Sequence, residues 1–227
     1  MHVKILYEDE HIIVVVKPAG MPSQGDRSST MDMVSYLKNY LAPSVKGIPY
    51  IGVVHRLDRP VGGVMVYAKT PKAAADLSAQ IQKNRVTKKY KVVLTGTLGN
   101  QEGCLENYLL KDARTNTSKI VSKQISGAKP AKLNYKVIRT QYIGEQLLTL
   151  AEIELITGRH HQIRVQTAGA GAGVYGDTKY NPRFQNQRGW FDMGLFSYSL
   201  SFAHPVTHKT MTFTYEPEGT PFSMIES

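Results

Sequence analysis

The sequence predicts an α+β fold with much antiparallel pairing, and three observations support this class. Short runs rich in β-branched and aromatic residues recur along the 227 residues and are separated by turn residues. Two other stretches carry apolar side chains at helical spacing. The length suits one sizeable domain, and a content of 41% hydrophobic and 20% charged residues is typical of a soluble globular protein. We therefore expect a single domain over residues 1–227.

The first part of the chain is predicted to hold a buried strand and a helix. Residues 12–16 form an unbroken aliphatic run, which indicates a buried strand. Residues 29–41 are predicted to be a short helix, because four apolar side chains fall on one of its sides. These four residues are Met33, Val34, Leu37 and Leu41. The polar segment between the two elements is predicted to be a loop.

Residues 53–69 are predicted to form a strand, a tight turn and a second strand. Pro60 disfavours helical geometry at the residue before it, and Gly62 and Gly63 permit backbone angles that other residues avoid. The chain must therefore turn directly after Asp58.

Asp58 shares a predicted strand face with Arg56, because side chains alternate along a strand. His55 would face the other way, as a packed and hydrogen-bonded residue. A carboxylate at such a turn has an ordinary interpretation as a turn residue in an ion pair with Arg56 or Arg59. The alternative is a rigidly held functional group that reaches a substrate.

A second helix is predicted to begin at Thr70 and Pro71, as the N-cap and the first helical residue. Ala73, Leu77 and Ile81 then recur every four residues, so this helix packs one face on the core.

The rest of the chain is predicted to be mainly strands. They fall at residues 89–95, 133–139 and 146–155, followed by a terminal hairpin of residues 200–204 and 209–215. Residues 111–132 are rich in Lys, Thr, Ser and Asn, with little apolar periodicity, and are predicted to be a long loop or arm. Residues 181–188 are predicted to be another loop.

The net charge of +10 favours a polyanionic partner, because neutralising phosphates releases counterions. Residues 77–101 contain no acidic residue but several crowded cations. Residues 111–139 carry eight Lys or Arg against Asp112 alone. A charge run is usually a solvated face, but two one-sided runs in so basic a chain favour an RNA footprint.

Several other classes of protein are disfavoured. The aliphatic run at residues 12–16 is far below the roughly 18 residues needed to span a bilayer, and the N-terminus lacks an export signal. One cysteine, Cys104, cannot form an internal disulfide, which fits a cytoplasmic protein. His160 and His161 would point apart on a helix, so we reject a zinc site. Val174 occupies the place of the third glycine in a dinucleotide-binding motif, which makes such a site improbable.

Five blocks of the sequence occur in an order that resembles one known family. They are VVVKPAGMPSQGD at 14–26, HRLD at 55–58, KKYKVVLTG at 88–96, TGRHHQIRVQTAGAGAGVYGDTKY at 157–180 and LSFAHPVTHKTMTF at 200–213. The combination resembles the RluA-type family of RNA pseudouridine synthases, and the blocks span nearly the whole chain.

The resemblance implies a mixed, mainly antiparallel β-sheet that is divided by a basic catalytic cleft, with flanking helices and RNA-contacting loops. It also implies isomerisation of specific uridines in ribosomal or transfer RNA, without an organic cofactor or a metal. Many relatives carry an S4-like domain before the KPAG block. Because that block begins at Lys17 here, we expect the catalytic domain alone, acting as a monomer.

The resemblance assigns catalytic roles to three residues. Asp58 is the implied nucleophile, attacking either ribose C1′ or uracil C6, and an aspartate with a pKa of roughly 3.9 is ionised at neutral pH. Tyr90 would stack on the base or move a proton. Arg164, on a helix opened by Thr157 and Gly158, would pair with Asp58. The ordinary alternatives are a tyrosine packed on the core and a surface arginine paired locally.

Further residues are implied to contact RNA or to support the cleft. The predicted RNA-contacting side chains are all cationic: Arg56, Lys88, Lys89 and Arg159. Of these, Arg56 is expected to enter the space left by a flipped uridine. Gly176, Asp177 and Tyr180 match the GDxxY block of the family and are predicted to support the cleft.

Two departures from the family pattern caution against transferring a relative's RNA target. Val61 and Gly62 stand where many relatives have Thr-Ser, and Gln24 stands where a histidine is frequent. A non-catalytic RNA-binding or ribosome-assembly factor is the main alternative function. All three catalytic candidates are present, which favours an enzyme. A metal-dependent nuclease would need clustered carboxylates that the sequence lacks.

Overall fold

The computed structural model describes residues 3–25, 30–189 and 191–226. The strands are β1 Lys4–Glu8, β2 Ile12–Lys17, β3 Gly52–Val53, β4 Gly62–Ala68, β5 Thr87–Thr95, β6 Glu102–Asp112, β7 Thr117–Val121, β8 Lys129–Ile143, β9 Gln146–Leu155, β10 Gly173–Val174, β11 Leu195–Ala203 and β12 Thr210–Thr214. The helices are α1 Met33–Leu41, α2 Pro71–Gln82, α3 Gln162–Gly169, α4 Pro182–Gln185 and α5 Ser223–Glu226, and a 3-10 turn covers Ala42–Ser44. The predicted α+β class with mainly antiparallel pairing is confirmed.

The chain divides into two compact units. The first comprises residues 1–88 and 197–216, and the second comprises residues 89–196 and 217–227. The boundaries between the units therefore fall inside strands β5 and β11. The single domain expected from the sequence stays a prediction.

In the first unit, β2 is the strand around which the core forms. The strands follow the order β1-β2-β4-β11, with β3 beside β4 and β12 beside β11. Every residue of β2 is buried, which confirms the buried strand predicted there. Ala73 and Leu77 of α2 pack against Ile12 and Val14 of β2 and against Phe202 of β11. Thr70 caps α2 by accepting the backbone N–H of Ala73, as predicted.

In the second unit, long antiparallel strands follow the order β5-β9-β8-β6-β7, with β10 beside β5. Val93 of β5 packs with Leu148 and Leu150 of β9 in a core that Phe222 and Ile225 of the C-terminal segment complete. Helix α3 packs against β6, β7 and β10. The predicted strand over residues 146–155 has the bounds of β9, and the terminal hairpin is confirmed as β11 and β12.

The first helix begins later than the sequence predicted. Helix α1 starts at Met33, because the Asp32 side chain accepts the backbone N–H groups of Val34 and Ser35 and so caps the first turn. Residues 26–29, which include the predicted start at residue 29, lie outside the described residues.

The loop predicted over residues 111–132 is wrong. Strand β6 extends through Asp112, β7 follows, and β8 begins at Lys129. The turn between β6 and β7 is closed by Asp112 Oδ1, which accepts the backbone N–H of Arg114 at 2.9 Å. The prediction failed because the exposed faces of these paired strands are polar, so few apolar residues remain to reveal the alternation.

The loop predicted over residues 181–188 is also partly wrong. It contains the short helix α4, which the Asn181 side chain caps by accepting the backbone N–H of Arg183 at 3.1 Å. Pro182 occupies the first helical position, where its missing N–H costs nothing.

Candidate active site

Asp58 lies in a loop, not on a strand. Strand β3 ends at Val53 and β4 begins at Gly62, so the predicted strand through residues 53–58 is wrong, as is the shared strand face of Asp58 and Arg56. Asp58 is half-buried, and its carbonyl accepts the backbone N–H of Val61 at 2.9 Å, which closes the turn predicted after it. The backbone leaves the sheet early because its polar groups bond to the loop that follows β2.

Ser23 fixes the residue before Asp58. Its hydroxyl donates to the carbonyl of Leu57 at 2.8 Å and accepts the Leu57 backbone N–H at 3.1 Å. The Tyr67 hydroxyl donates to the carbonyl of Ser23 at 2.9 Å and holds this serine in turn. Ser23, Leu57 and Tyr67 are all buried, so these bonds are shielded from water.

Gly20 and Lys17 fix the residue after Asp58. The Gly20 backbone N–H donates to the carbonyl of Arg59 at 2.8 Å, and Arg59 Nε donates back to the carbonyl of Gly20 at 3.0 Å. Lys17 Nζ donates to the same Arg59 carbonyl at 3.2 Å. The backbone on both sides of Asp58 is therefore held by the segment between residues 17 and 23, which we call the clamp loop.

The contribution of Lys17 to this loop was not predicted from the sequence. Lys17 is fully buried, with 0% of its surface exposed, and its Nζ also donates to the carbonyls of Pro18 and Met21 at 2.9 and 2.7 Å. Burial lowers the pKa of Lys17 to about 7, and the attraction of Asp58 opposes that shift. A lysine that ends an otherwise aliphatic strand could have indicated this buried cation.

His55 is a packed, hydrogen-bonded residue, as predicted. Its Nε2 accepts the backbone N–H of Val66 at 3.1 Å. Burial, together with repulsion from Lys88, lowers the pKa of His55 to about 3, so the ring is neutral at neutral pH. His55 supports the loop through β4.

The four predicted RNA-contacting cations lie in different environments. Arg56 is exposed. Lys88 is half-buried, and burial lowers its pKa. Lys89 forms an ion pair with Glu152 of β9 at 3.1 Å, and Arg159 Nε donates to a backbone carbonyl of β8 at 2.9 Å. The side chains of Lys89 and Arg159 therefore each bond to another residue of the protein.

Tyr90 lies on β5 with 6% of its surface exposed, opposite Ile153 of β9. It alternates with Lys89 and Lys91, so it occupies the other face of the strand. Its phenol ring therefore belongs to the side of this strand that also carries the buried Val92.

Arg164 lies on α3 and is held by Asp177. Its Nε donates to Asp177 Oδ2 and one Nη donates to Oδ1, both at 2.7 Å, with both side chains buried. Such a bidentate pair fixes the plane of the guanidinium as well as its position. The helix begins at Gln162, not at the predicted Thr157 and Gly158.

The GDxxY block builds the support for Arg164. Asp177 Oδ1 also accepts the backbone N–H groups of Lys179 and Tyr180, at 2.9 and 3.2 Å. Gly176 has φ 74°, and a Cβ there would lie 2.2 Å from the carbonyl oxygen of Asp192, so only glycine fits. The motif predicted a supporting role for this block, but not the Arg164–Asp177 pair.

His160 and His161 precede α3, and their rings stack with centroids 3.7 Å apart, so the prediction that they point apart on a helix is wrong. The cause is the backbone of His161, which has φ 53° and interrupts helical geometry. Among residues 3–25, 30–189 and 191–226, no three His, Cys, Asp or Glu side chains are grouped to hold a metal ion. In the same ranges, no helix is long and apolar enough to cross a membrane.

Comparisons with known proteins agree on one family. Residues 11–169 match the family model described as RNA pseudouridylate synthase. The chain is 35% identical over 227 residues to ribosomal large subunit pseudouridine synthase D of Neisseria meningitidis serogroup A, covering 94% of this chain and 58% of that protein. It is 33% identical to an uncharacterized RNA pseudouridine synthase of Aquifex aeolicus, covering 94% of this chain and 69% of that protein. The chain thus spans less than two thirds of the length of the Neisseria relative.

The fold is similar to that of solved structures. Human RNA pseudouridylate synthase domain containing 1 matches with a TM-score of 0.79 over 95% of this chain and 84% of that chain, at 20% identity. The corresponding human domain containing 4 matches with a TM-score of 0.77, at 21% identity. At this level of identity the likeness concerns the fold.

Proposed function

From the finding that the chain belongs to the RNA pseudouridylate synthase family, we propose that it isomerises uridine to pseudouridine in RNA, with Asp58 as the nucleophile. The observation that carries this proposal is the clamp loop. It bonds the backbone of Leu57 and of Arg59, so the backbone that carries the Asp58 carboxylate is held in one place. A nucleophile held in this way loses little freedom when it attacks.

The proposed reaction is an isomerisation. The bond between uracil N1 and ribose C1′ breaks, the base turns, and a bond forms between C5 and C1′, with the C5 proton released and N1 protonated. Asp58 supplies the anionic nucleophile, at ribose C1′ or at uracil C6. No electrons are gained or lost, so the proposed reaction needs no redox cofactor. Because Asp58 is itself the nucleophile, we propose no organic cofactor and no metal.

Tyr90 and Arg164 have supporting parts in this proposal. The Tyr90 ring, on a strand face with apolar neighbours, stacks on the extruded base or moves a proton. Arg164 provides the positive charge that the family pairs with the aspartate, and Asp177 keeps that guanidinium in one orientation.

The proposed substrate is ribosomal or transfer RNA. The net charge of +10 suits a polyanion, and the Neisseria relative is named for the large ribosomal subunit. The exposed Arg56, two residues before Asp58, is proposed to enter the stack that the target uridine leaves. Lys88, Lys89 and Arg159 are proposed to contact phosphates, with Lys89 exchanging Glu152 for RNA. We place the protein in the cytoplasm as a monomeric catalytic domain.

The test is tritium release from RNA labelled at uracil C5. We expect the wild-type protein to release tritium from a cellular RNA pool, and Asp58→Asn to lower the rate at least about 1,000-fold at matched RNA affinity. Asp192→Asn, which changes an exposed aspartate in the same way, should keep the wild-type rate.

Two results would overturn the proposal. Equal tritium release from Asp58→Asn and wild type would reject Asp58 as the nucleophile. Absence of release by the wild-type protein from every cellular RNA, with RNA binding intact, would favour a non-catalytic RNA-binding protein.

A further inference from the structure

The hairpin of β6 and β7 is docked on the segment that holds Arg164. In the described strand order of the second unit, β7 comes last and pairs with β6. The backbone N–H of Ser118 in β7 points away from β6 and donates to the Tyr180 hydroxyl at 2.7 Å. An outward N–H on such a strand needs a partner, and a side chain from the GDxxY block supplies it.

Tyr180 contacts both members of the Arg164–Asp177 pair. Its ring centroid lies 5.1 Å from Arg164 Cζ, within the range of a cation–π contact. Its backbone N–H donates to Asp177 Oδ1 at 3.2 Å. One residue therefore joins the hairpin, the guanidinium and the carboxylate.

The Tyr180 hydroxyl has two partners. Because Ser118 donates a backbone N–H, the Tyr180 oxygen accepts there, and the hydroxyl also bonds to His161 Nδ1 at 2.7 Å. In the tautomer that leaves Nδ1 unprotonated, the hydroxyl donates its proton to the ring. Burial and repulsion from Arg164, His160 and Lys179 lower the pKa of His161 to about 2, so the ring is neutral at neutral pH.

Neighbouring contacts hold the hairpin in the same place. The Ser118 hydroxyl bonds to His160 Nδ1 at 2.9 Å, and His160 Nε2 bonds to Asn116 Oδ1 at 3.1 Å. Lys179 Nζ donates to the carbonyl of Asn116 at 2.9 Å. The end of the hairpin is thus bonded on two sides to the residues around α3.

We propose that Tyr180 is a positioning residue for Arg164, and that its hydroxyl transmits the position of the β6–β7 hairpin to the guanidinium. This inference rests on the proposed catalytic role of Arg164. The ring and the backbone N–H of Tyr180 touch the Arg164–Asp177 pair, while the hydroxyl bonds to the hairpin and to His161. Removing the hydroxyl alone therefore separates positioning from packing.

The test is Tyr180→Phe, which keeps the ring and the backbone N–H. We expect kcat for tritium release to fall about tenfold, while KM and the Kd for RNA stay within about twofold of wild type. In protein labelled with nitrogen-15 arginine, the Nε–H of Arg164 should exchange with solvent about tenfold faster. Tyr142→Phe removes a hydroxyl from a largely exposed tyrosine on β8 and should change none of these values.

A second variant reaches the same hydroxyl from its other side. His161→Gly removes the ring that bonds to the Tyr180 hydroxyl, and glycine tolerates the backbone angle of φ 53° at this position. It should shift kcat and Arg164 exchange in the same direction as Tyr180→Phe. Because this variant acts by a different substitution, it tests the inference even where Tyr180→Phe folds poorly.

The exchange measurement separates this inference from the proposed function. If Arg164 Nε–H exchange in both variants equals that of wild type, the inference is overturned whatever the activity. If exchange rises in the variants but the wild-type protein releases no tritium from any RNA, the positioning role stands and the proposed function fails. A fall in kcat with unchanged exchange would also overturn the inference.

Discussion

Lys17 closes a strand in which every side chain is buried, and its ammonium faces the carbonyl oxygens of Pro18, Met21 and Arg59. Those three acceptors match the three N–H donors of the charged form. A buried cation is costly to desolvate, and this cost is offset only while each donor keeps its partner. At the residue scale, Lys17 therefore makes the clamp loop depend on one side chain.

Replacing Lys17 should destabilise the protein through these carbonyls. We expect Lys17→Met to lower the free energy of unfolding by about 3 kcal/mol, because the carbonyl oxygens of Pro18 and Met21 lose this donor, while that of Arg59 keeps the N–H of Gly20. Urea denaturation measures this change. Lys46→Met alters an exposed lysine and should stay within about 0.5 kcal/mol of wild type. A Lys17→Met protein as stable as Lys46→Met would show that the three bonds contribute nothing net.

Single residues also mark the limit of what the sequence predicts about the site. Asp58, Tyr90 and Arg164 stay predictions, and they could be made because ordered motifs surround these residues. The contacts of Lys17 and the bond between Arg164 and Asp177 were not predicted, because each is defined by residues that are distant in the sequence. The Lys17–Arg59 bond joins residues 42 positions apart, and nothing in local composition specifies which carbonyl a buried ammonium will reach.

At the scale of elements, the approach of β4 to β11 depends on Gly63. It has φ 130°, and a Cβ there would lie 2.3 Å from the carbonyl oxygen of Ser197. Both facts exclude a side chain, since L-residues rarely adopt this angle and backbone atoms cannot yield. The glycine pair after Asp58 is thus needed for strand packing as well as for the turn.

Gly63→Ala should consequently be strongly destabilising. We expect a loss of about 3 kcal/mol or more in the free energy of unfolding, from backbone strain and overpacking together. Gly99→Ala is the matched control, because a Cβ at Gly99 meets nothing within 4 Å. Thermal and urea denaturation of the two variants compare them directly. Equal stabilities would contradict the close approach of the strands.

Elements were predicted well where local chemistry decides them. Helix α2 follows from its Thr70 cap and its apolar spacing, and β2 from its aliphatic run. The prediction of a strand through Asp58 was wrong, because Ser23 bonds to the backbone N–H and carbonyl of Leu57, which a neighbouring strand would otherwise use. The error at β7 has a similar origin, since pairing with β6 over residues 108–112 stabilises a strand of low apolar content.

At the scale of the whole molecule, two neutral histidines make stability depend on pH. The pKa of His55 in the first unit is about 3, and that of His161 in the second unit is about 2. In the unfolded chain both titrate near 6.5. Below that pH both histidines bind protons in the unfolded state but stay neutral in the folded state. The stability that the two histidines contribute is therefore fully present above about pH 6.5 and is lost as pH falls toward their folded pKa values.

We expect urea denaturation at pH 7 and pH 5 to show this loss. Each buried histidine should contribute about 2 kcal/mol between the two values, from a slope of about 1.4 kcal/mol per pH unit below 6.5. His161→Asn should remove one of these contributions. His208→Asn is the matched control, because His208 is exposed and has a similar left-handed backbone, with φ 57°. An unchanged pH dependence in His161→Asn would refute the assignment.

The division of the chain inside β5 and β11 has a consequence for synthesis on the ribosome. Residues 197–216 belong to the first unit and supply Leu200 and Phe202 to its core. Phe222 and Ile225, which come later still, complete the core of the second unit. A nascent chain that has emerged only as far as residue 196 can finish neither core. Both units can therefore complete their cores only near the end of translation. Until then their apolar core residues stay exposed, and a chaperone could bind them.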